Sequence, residues 1–128
     1  MLIGIGVDVL KISRLAPIAD NPSDPFFLKA FTKQERDQAT SRQTPLRYYA
    51  ARFAGKEAVY KAISVCKCDF VPSDIEILDM VDGRPTATIS GSTADMLRSY
   101  AGAEVVVHLS LSYEEDSVVA FALVLQRA

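Results

Sequence analysis

Long hydrophobic runs are absent. No stretch of the 128 residues approaches the roughly 18 apolar positions that a membrane span needs. Cysteine is scarce, with only Cys66 and Cys68. A C-x-C pair is a poor intrachain disulfide and half of a four-ligand zinc site. The single histidine, His108, lies far from it in sequence, so zinc is not expected and two thiols in a reducing cytoplasm are. A basic leader is also missing. The opening MLIGIGVDVL is apolar but carries Asp8 and no lysine or arginine, and it reads as a strand. Repeats and low-complexity segments are absent, and neither a membrane nor a nucleic-acid partner is expected.

With 49% hydrophobic and 23% charged residues, the composition suits one domain over residues 1–128. The net charge of −2 conceals an asymmetry. Residues 1–67 hold eleven Lys/Arg against six Asp/Glu, whereas residues 68–128 hold three against ten. The basic half, with Arg14, Lys29, Lys33, Arg36, Arg42, Arg47, Arg52 and Lys56, suits an acidic partner or a phosphate-bearing ligand as well as it suits solvated helix faces.

Patterning predicts a strand over 2–9 that ends near Asp8, and a short helix from Lys11 to about Ala19 disturbed by Pro17. A turn follows at 21–25, then a T-x-x-E capping box at Thr32 and Glu35. The longest helix is expected from Pro45 to about Ile63 with Thr44 as N-cap and Leu46, Tyr49, Phe53, Tyr60 and Ile63 facing inward. Strands around Ile75–Met80 and Arg84–Ile89 flank an Asp82-Gly83 turn. Ser92 is placed as the cap of a helix over 93–101, and a hairpin of Glu104–Ser112 and Val118–Gln126 closes the chain. This order argues for an α+β fold, a mainly antiparallel sheet packed on one long helix and shorter ones.

Glu57 falls within the apolar stripe of the long helix, four residues from Lys61. A carboxylate there costs several kcal/mol unless paired, protonated or bound to metal. A Glu57–Lys61 ion pair is one explanation. Asp8, a second acid at the end of an apolar strand, supports another, because Mg²⁺ takes one or two protein carboxylates and completes its octahedron with water and substrate phosphate. Along the closing hairpin, alternation places His108, Ser110 and Ser112 on one face and Val105, Val107, Leu109 and Leu111 on the other.

The run Phe53-Ala54-Gly55-Lys56-Glu57-Ala58-Val59-Tyr60-Lys61 resembles the (W/F)-x-x-K-E-(A/S)-x-x-K signature of phosphopantetheinyl transferases, and Gly4-Ile5-Gly6-Val7-Asp8-Val9 resembles their G-(I/V)-G-x-D block. Phe31-Thr32 with Glu35, Gly83-Arg84-Pro85 and the closing hairpin extend the likeness over nearly the whole chain, toward the small holo-acyl-carrier-protein synthase type. The resemblance implies the phosphopantetheinyl transferase fold and transfer of 4′-phosphopantetheine from coenzyme A to a serine of apo-acyl carrier protein, with release of adenosine 3′,5′-bisphosphate. It further implies Asp8 and Glu57 as ligands of a catalytic Mg²⁺, Lys61 on the phosphates, Arg52 and His108 near the coenzyme A 3′-phosphate, and Arg14 in carrier-protein binding. A cytoplasmic homotrimer with interfacial active sites is implied as well. Lys56 belongs to the signature without an assigned role.

Two departures stand out. The family's Gly-Thr-Gly-type loop is replaced by Ser64-Val65-Cys66-Lys67-Cys68, which makes close backbone approach and positive φ harder to reach. A histidine that many relatives carry after S-x-S is Tyr113 here. These departures leave room for a second reading, a catalytically weak module that binds coenzyme A or the carrier. A purely structural α+β domain is a third.

Overall fold

A computed structural model describes residues 1–21 and 23–127. Its centre is helix α4, Pro45–Ala62, which is rich in small residues. Ala50, Ala51, Ala54, Gly55, Ala58 and Ala62 are buried, so neighbouring backbone approaches α4 closely on several sides. The strand β1, Leu2–Lys11, exploits this. A Cβ on Gly4 would overlap the Ala62 carbonyl oxygen, and one on Gly6 would overlap that of Ala58. Only glycine permits the contact.

β1 pairs antiparallel with β5, Ser117–Gln126, which pairs on its other side with β4, Val105–Glu114, giving the order β1-β5-β4. Val118, Ala120, Ala122 and Val124 of β5 point inward and are buried. A separate antiparallel hairpin joins β2, Ile75–Asp79, to β3, Pro85–Ile89, and places Ile75 and Ile77 in the core. Thus the expected α+β architecture is present, its sheet divided into a three-stranded and a two-stranded part.

The shorter helices surround this frame. A 3₁₀ turn at Ile12–Leu15 runs into the four-residue α1, Ala16–Ala19, so the single helix expected there is split next to Pro17. Helix α2 is Pro25–Ala30; of the turn expected before it, Pro22 lies outside the described residues. Helix α3, Lys33–Thr40, opens on the expected capping box: Glu35 N–H donates to Thr32 Oγ1 and Thr32 N–H donates to Glu35 Oε1. Thr44 is the N-cap of α4 by position, but its side chain makes no capping bond.

Two expectations need correction. Of the stripe expected to face inward, Tyr49 and Ile63 are buried, whereas Leu46, Phe53 and Tyr60 are only partly buried and pack against the edge of the core. Ser92 does not cap its helix either. Helix α5 is Gly91–Ala101 with Ser90 as N-cap, and the capping carboxylate comes from Asp74, whose Oδ2 accepts from the Thr93 N–H (3.2 Å) and hydroxyl (2.7 Å). A cap borrowed from 19 residues upstream leaves no local pattern.

Candidate active site

Residues of one strand face recur at every second position. Gly4, Gly6 and Asp8 therefore point together toward α4, opposite Val124, Ala122 and Ala120. The glycines draw β1 against the helix, and Asp8 arrives beside the open strip that carries Glu57 and Lys61. Lys61 Nζ donates to Asp8 Oδ1 and to the Val7 carbonyl, each at 3.1 Å. The ion pair of Lys61 is thus with Asp8, across 53 residues, and not the local one with Glu57. Asp8 is 11% exposed and Lys61 53%.

Burial pushes the Glu57 carboxyl above the usual carboxylate range, and the charge of Asp8 pushes the same way against the opposing pull of Lys61. Two carboxylates are held together with one half-exposed ammonium between them and solvent. Among the described residues no group of three or more His, Cys, Asp or Glu could enclose a metal. This donor set fits a small hard cation that keeps water and takes phosphate oxygens, and does not fit a zinc cage.

Lys56 takes no part in this cluster. It is fully buried, pairs with the equally buried Glu35 (2.9 Å), and donates to the carbonyls of Pro72 and Ile75. Burial pulls its ammonium below the usual lysine range, although Glu35 raises it. Glu35 Oε2 accepts from the Ile77 N–H. The lysine of the signature ties α4 and α3 to β2.

Arg52 is 2% exposed and lies near the middle of α4, five residues before Glu57. It contacts Asp79 as an ion pair and stacks on Tyr48, its Cζ 3.9 Å from the ring centroid. Arg52 Nη2 makes that ion pair, and Arg52 Nε has no hydrogen-bond partner among the described residues. Arg52 lines a hollow of about 190 Å³ with Arg42, Arg47, Tyr48, Asp79 and Tyr113. His108 is exposed on β4 and paired with Leu123, which in turn pairs with Ile5, and so belongs to the face opposite Asp8. Arg14 is exposed on the 3₁₀ turn, whose Ser13 is bonded to Asp116 (2.6 Å).

Asp8, Glu57 and Lys61 are brought together; Arg52, His108 and Arg14 lie elsewhere on the chain. The expected face of His108 with Ser110 and Ser112 is present. Loop 64–68 forms a short 3₁₀ turn, Ser64–Cys66, and Lys67 then adopts the left-handed conformation (φ +56°) that glycine normally supplies. Cys66 and Cys68 are free thiols, and burial raises the pKa of both. Arg47 and Tyr113 were not linked by sequence reasoning, since they lie on different elements and share no spacing.

The family model of the 4′-phosphopantetheinyl transferase superfamily matches residues 4–122. A holo-(acyl-carrier-protein) synthase of Magnetococcus marinus is 41% identical, over 97% of this chain and 93% of the relative. The Chronobacterium ammoniagenes ACPS-CoA complex superposes with a TM-score of 0.83 at 28% identity, covering 98% of each chain. A Bacillus anthracis holo-(acyl-carrier-protein) synthase in complex with CoA (3′,5′-ADP) gives 0.76 at 27% identity, covering 99% of each. With its G-I-G-V-D strand seated on the K-E-A-V-Y-K helix and its length matched end to end, this chain belongs to the holo-(acyl-carrier-protein) synthase family of 4′-phosphopantetheinyl transferases.

Proposed function

We propose that this chain acts as a single domain that transfers 4′-phosphopantetheine from coenzyme A to a serine of apo-acyl carrier protein and releases adenosine 3′,5′-bisphosphate. The observation that carries this reading is the convergence of Asp8, Glu57 and Lys61 at the seam between β1 and α4. Asp8 and Glu57 would hold Mg²⁺, which when bound neutralises charge on the diphosphate. Lys61, half-exposed and four residues beyond Glu57, reaches phosphate oxygens by leaving Asp8, and its ammonium offsets charge developing on the transferred group. The serine Oγ–Pβ bond forms as the bond from Pβ to the bridging oxygen breaks, the hydroxyl proton is released, and the bisphosphate departs with the electron pair.

Arg52 and His108 serve the 3′-phosphate in this reading. Arg52 lies five residues from Glu57, about 7.5 Å of helix, but His108 is on the sheet face opposite Asp8. One coenzyme A is better served by the carboxylates of one subunit and His108 of another. A homotrimer with interfacial sites accounts for this. The outer face of the sheet supports it, since Ile5, Val7, Val9 and Phe121 form an uncovered apolar surface, each more than 40% exposed. Arg14, on the exposed turn, faces the acidic carrier protein. No helix is long and apolar enough to cross a membrane, and two free thiols suit a reducing cytoplasm.

Mass spectrometry of apo-acyl carrier protein incubated with the protein, coenzyme A and Mg²⁺ tests the reading. A phosphopantetheine-sized gain, lost with EDTA and with Glu57→Ala, is the expected result. Binding of coenzyme A without any gain across several carriers would replace it with the weak binding module, with the 64–68 loop as the first place to look.

A further inference from the structure

We propose that Asp116 and Ser13 are positioning residues for the carrier protein: Asp116, in the turn between β4 and β5, caps the 3₁₀ turn that presents Arg14 and locks it to the strand that presents Asp8. The inference rests on the transferase reading above and on the place of Arg14 in it, and adds two residues that touch no substrate. The 3₁₀ turn Ile12–Leu15 follows β1 with Lys11 in the N-cap position, and the Lys11 side chain makes no capping bond. The first N–H groups of the turn therefore need acceptors from elsewhere. Asp116 supplies them from 103 residues beyond Ser13. Its carbonyl accepts from the Ile12 N–H (2.8 Å), its Oδ1 from the Ser13 N–H (3.2 Å) and its Oδ2 from the Ser13 hydroxyl (2.6 Å). The residue before it, Glu115, adopts the left-handed region (φ +52°), which is unfavourable for a residue with a Cβ. Strain of that kind persists where the surrounding bonds hold it, and the three bonds to Ile12 and Ser13 do so here.

The physical reason for the latch is alignment. Ile12 and Leu15 are buried and hold the turn on the core. Apolar contact is non-directional, so it does not fix the direction in which Arg14 leaves the surface. Three directional hydrogen bonds add that. β1 meets β5 with Asp8 opposite Ala120 and Lys11 opposite Ser117, so Asp116 continues the ladder that carries Asp8. Asp8 and Arg14, six residues apart, thus belong to one frame. A carrier has to bring its serine to the diphosphate while its acidic surface rests on Arg14. An error in the direction of that arginine therefore costs affinity for the carrier and leaves coenzyme A untouched. Arg14 enters none of the ion pairs formed among the described residues, and Asp116 engages its carboxylate with Ser13, so the charge of the arginine is left for the partner.

The experiment is steady-state transfer by the full-length protein at saturating coenzyme A and Mg²⁺, with apo-acyl carrier protein varied, for Arg14→Ala, Asp116→Ala and the double variant. Asp116→Ala keeps the main-chain carbonyl for Ile12 and removes both carboxylate contacts. It is expected to raise the carrier KM about three- to tenfold, as one or two exposed hydrogen bonds allow, with kcat and the coenzyme A KM unchanged. Arg14→Ala is expected to raise the carrier KM as well. In that background Asp116→Ala is expected to add nothing, because a positioning residue has no effect once the group it positions is gone. Ser13→Ala is expected to reproduce part of the loss and Ser13→Thr, which keeps the hydroxyl, to avoid it; this pair decides the matter if Asp116→Ala does not fold. A wild type without transfer, or an Arg14→Ala variant with the wild-type carrier KM, would overturn the underlying reading together with this proposal. A carrier KM that rises for Arg14→Ala but for neither Asp116→Ala nor Ser13→Ala would overturn this proposal alone. So would an Asp116→Ala loss of equal size in the Arg14→Ala background, or one that falls on kcat or on coenzyme A, since the residue would then act through the fold at large.

Discussion

Replacing Lys56 by methionine is the sharpest test of how the signature divides its labour. Methionine matches the lysine stem in length and apolarity, so packing changes little and the ammonium alone is lost. What remains is a fully buried Glu35 without its cation and two carbonyls, of Pro72 and Ile75, without their shared donor. Removing one partner of a buried pair costs about 3–5 kcal/mol, a large share of the roughly 5–15 kcal/mol that holds a domain together. With a urea slope near 2 kcal/mol/M, the unfolding midpoint should fall by about 2 M. Glu35→Gln in the same background removes the stranded charge and keeps one carbonyl acceptor for the N–H of Thr32 or of Ile77, and it should recover part of the loss. The Lys56→Met protein, assayed well below its midpoint, should still transfer phosphopantetheine in a Mg²⁺-dependent way. A stability loss under about 1 kcal/mol would refute the structural assignment. Transfer abolished in a protein that is demonstrably folded would refute it equally.

Three further outcomes follow from the same geometry. Mg²⁺ should raise the thermal midpoint of the wild type, and Asp8→Asn and Glu57→Gln should each eliminate that rise and abolish most transfer. A carboxyl whose folded pKa is raised subtracts stability above that pKa and returns it as pH falls through it, so the Mg²⁺-induced rise should be larger at neutral pH than in mildly acidic buffer, where protons compete for Glu57. Arg14→Glu should weaken apo-carrier binding more than coenzyme A binding, measured by titration of each; equal losses would remove Arg14 from the carrier surface. Gly6→Ala forces a Cβ into the Ala58 carbonyl and should lower the thermal midpoint markedly while weakening Mg²⁺ binding through the displaced Asp8, whereas Gly83→Ala, with open space around it, should leave Mg²⁺ binding intact.

Much of this was legible in the chain because the signals were local. The Thr32–Glu35 box, the Pro45 start of the long helix and the alternation along β4 each follow from spacing alone. Non-local partners were the obscure part. Lys61 found Asp8 on a distant strand instead of Glu57 one turn away. Lys56, indistinguishable in sequence from a catalytic lysine, is spent on a buried pair with Glu35. The inward face of α4 was only partly legible because alanines announce burial weakly: Tyr49 and Ile63 are buried as expected, but Ala50, Ala51, Ala54 and Ala58 line much of the buried surface while Leu46, Phe53 and Tyr60 stay partly open.

The sheet order carries a consequence for how such a protein comes into being. β5 lies between β1 and β4, so among the described residues the strand bearing Asp8 has its only ladder partner in β5, with Asp8 opposite Ala120. A nascent polypeptide can fold α4 early, since helices need only neighbours, but the loop between β1 and β5 has to close before either strand gains its hydrogen bonds. A chain stalled on the ribosome short of β5 therefore carries Glu57 and Lys61 in place with Asp8 still adrift. The Asp8–Glu57–Lys61 cluster assembles late in synthesis and all at once, and loss of β5 by premature termination would leave a helix presenting Glu57 and Lys61 without their acid partner.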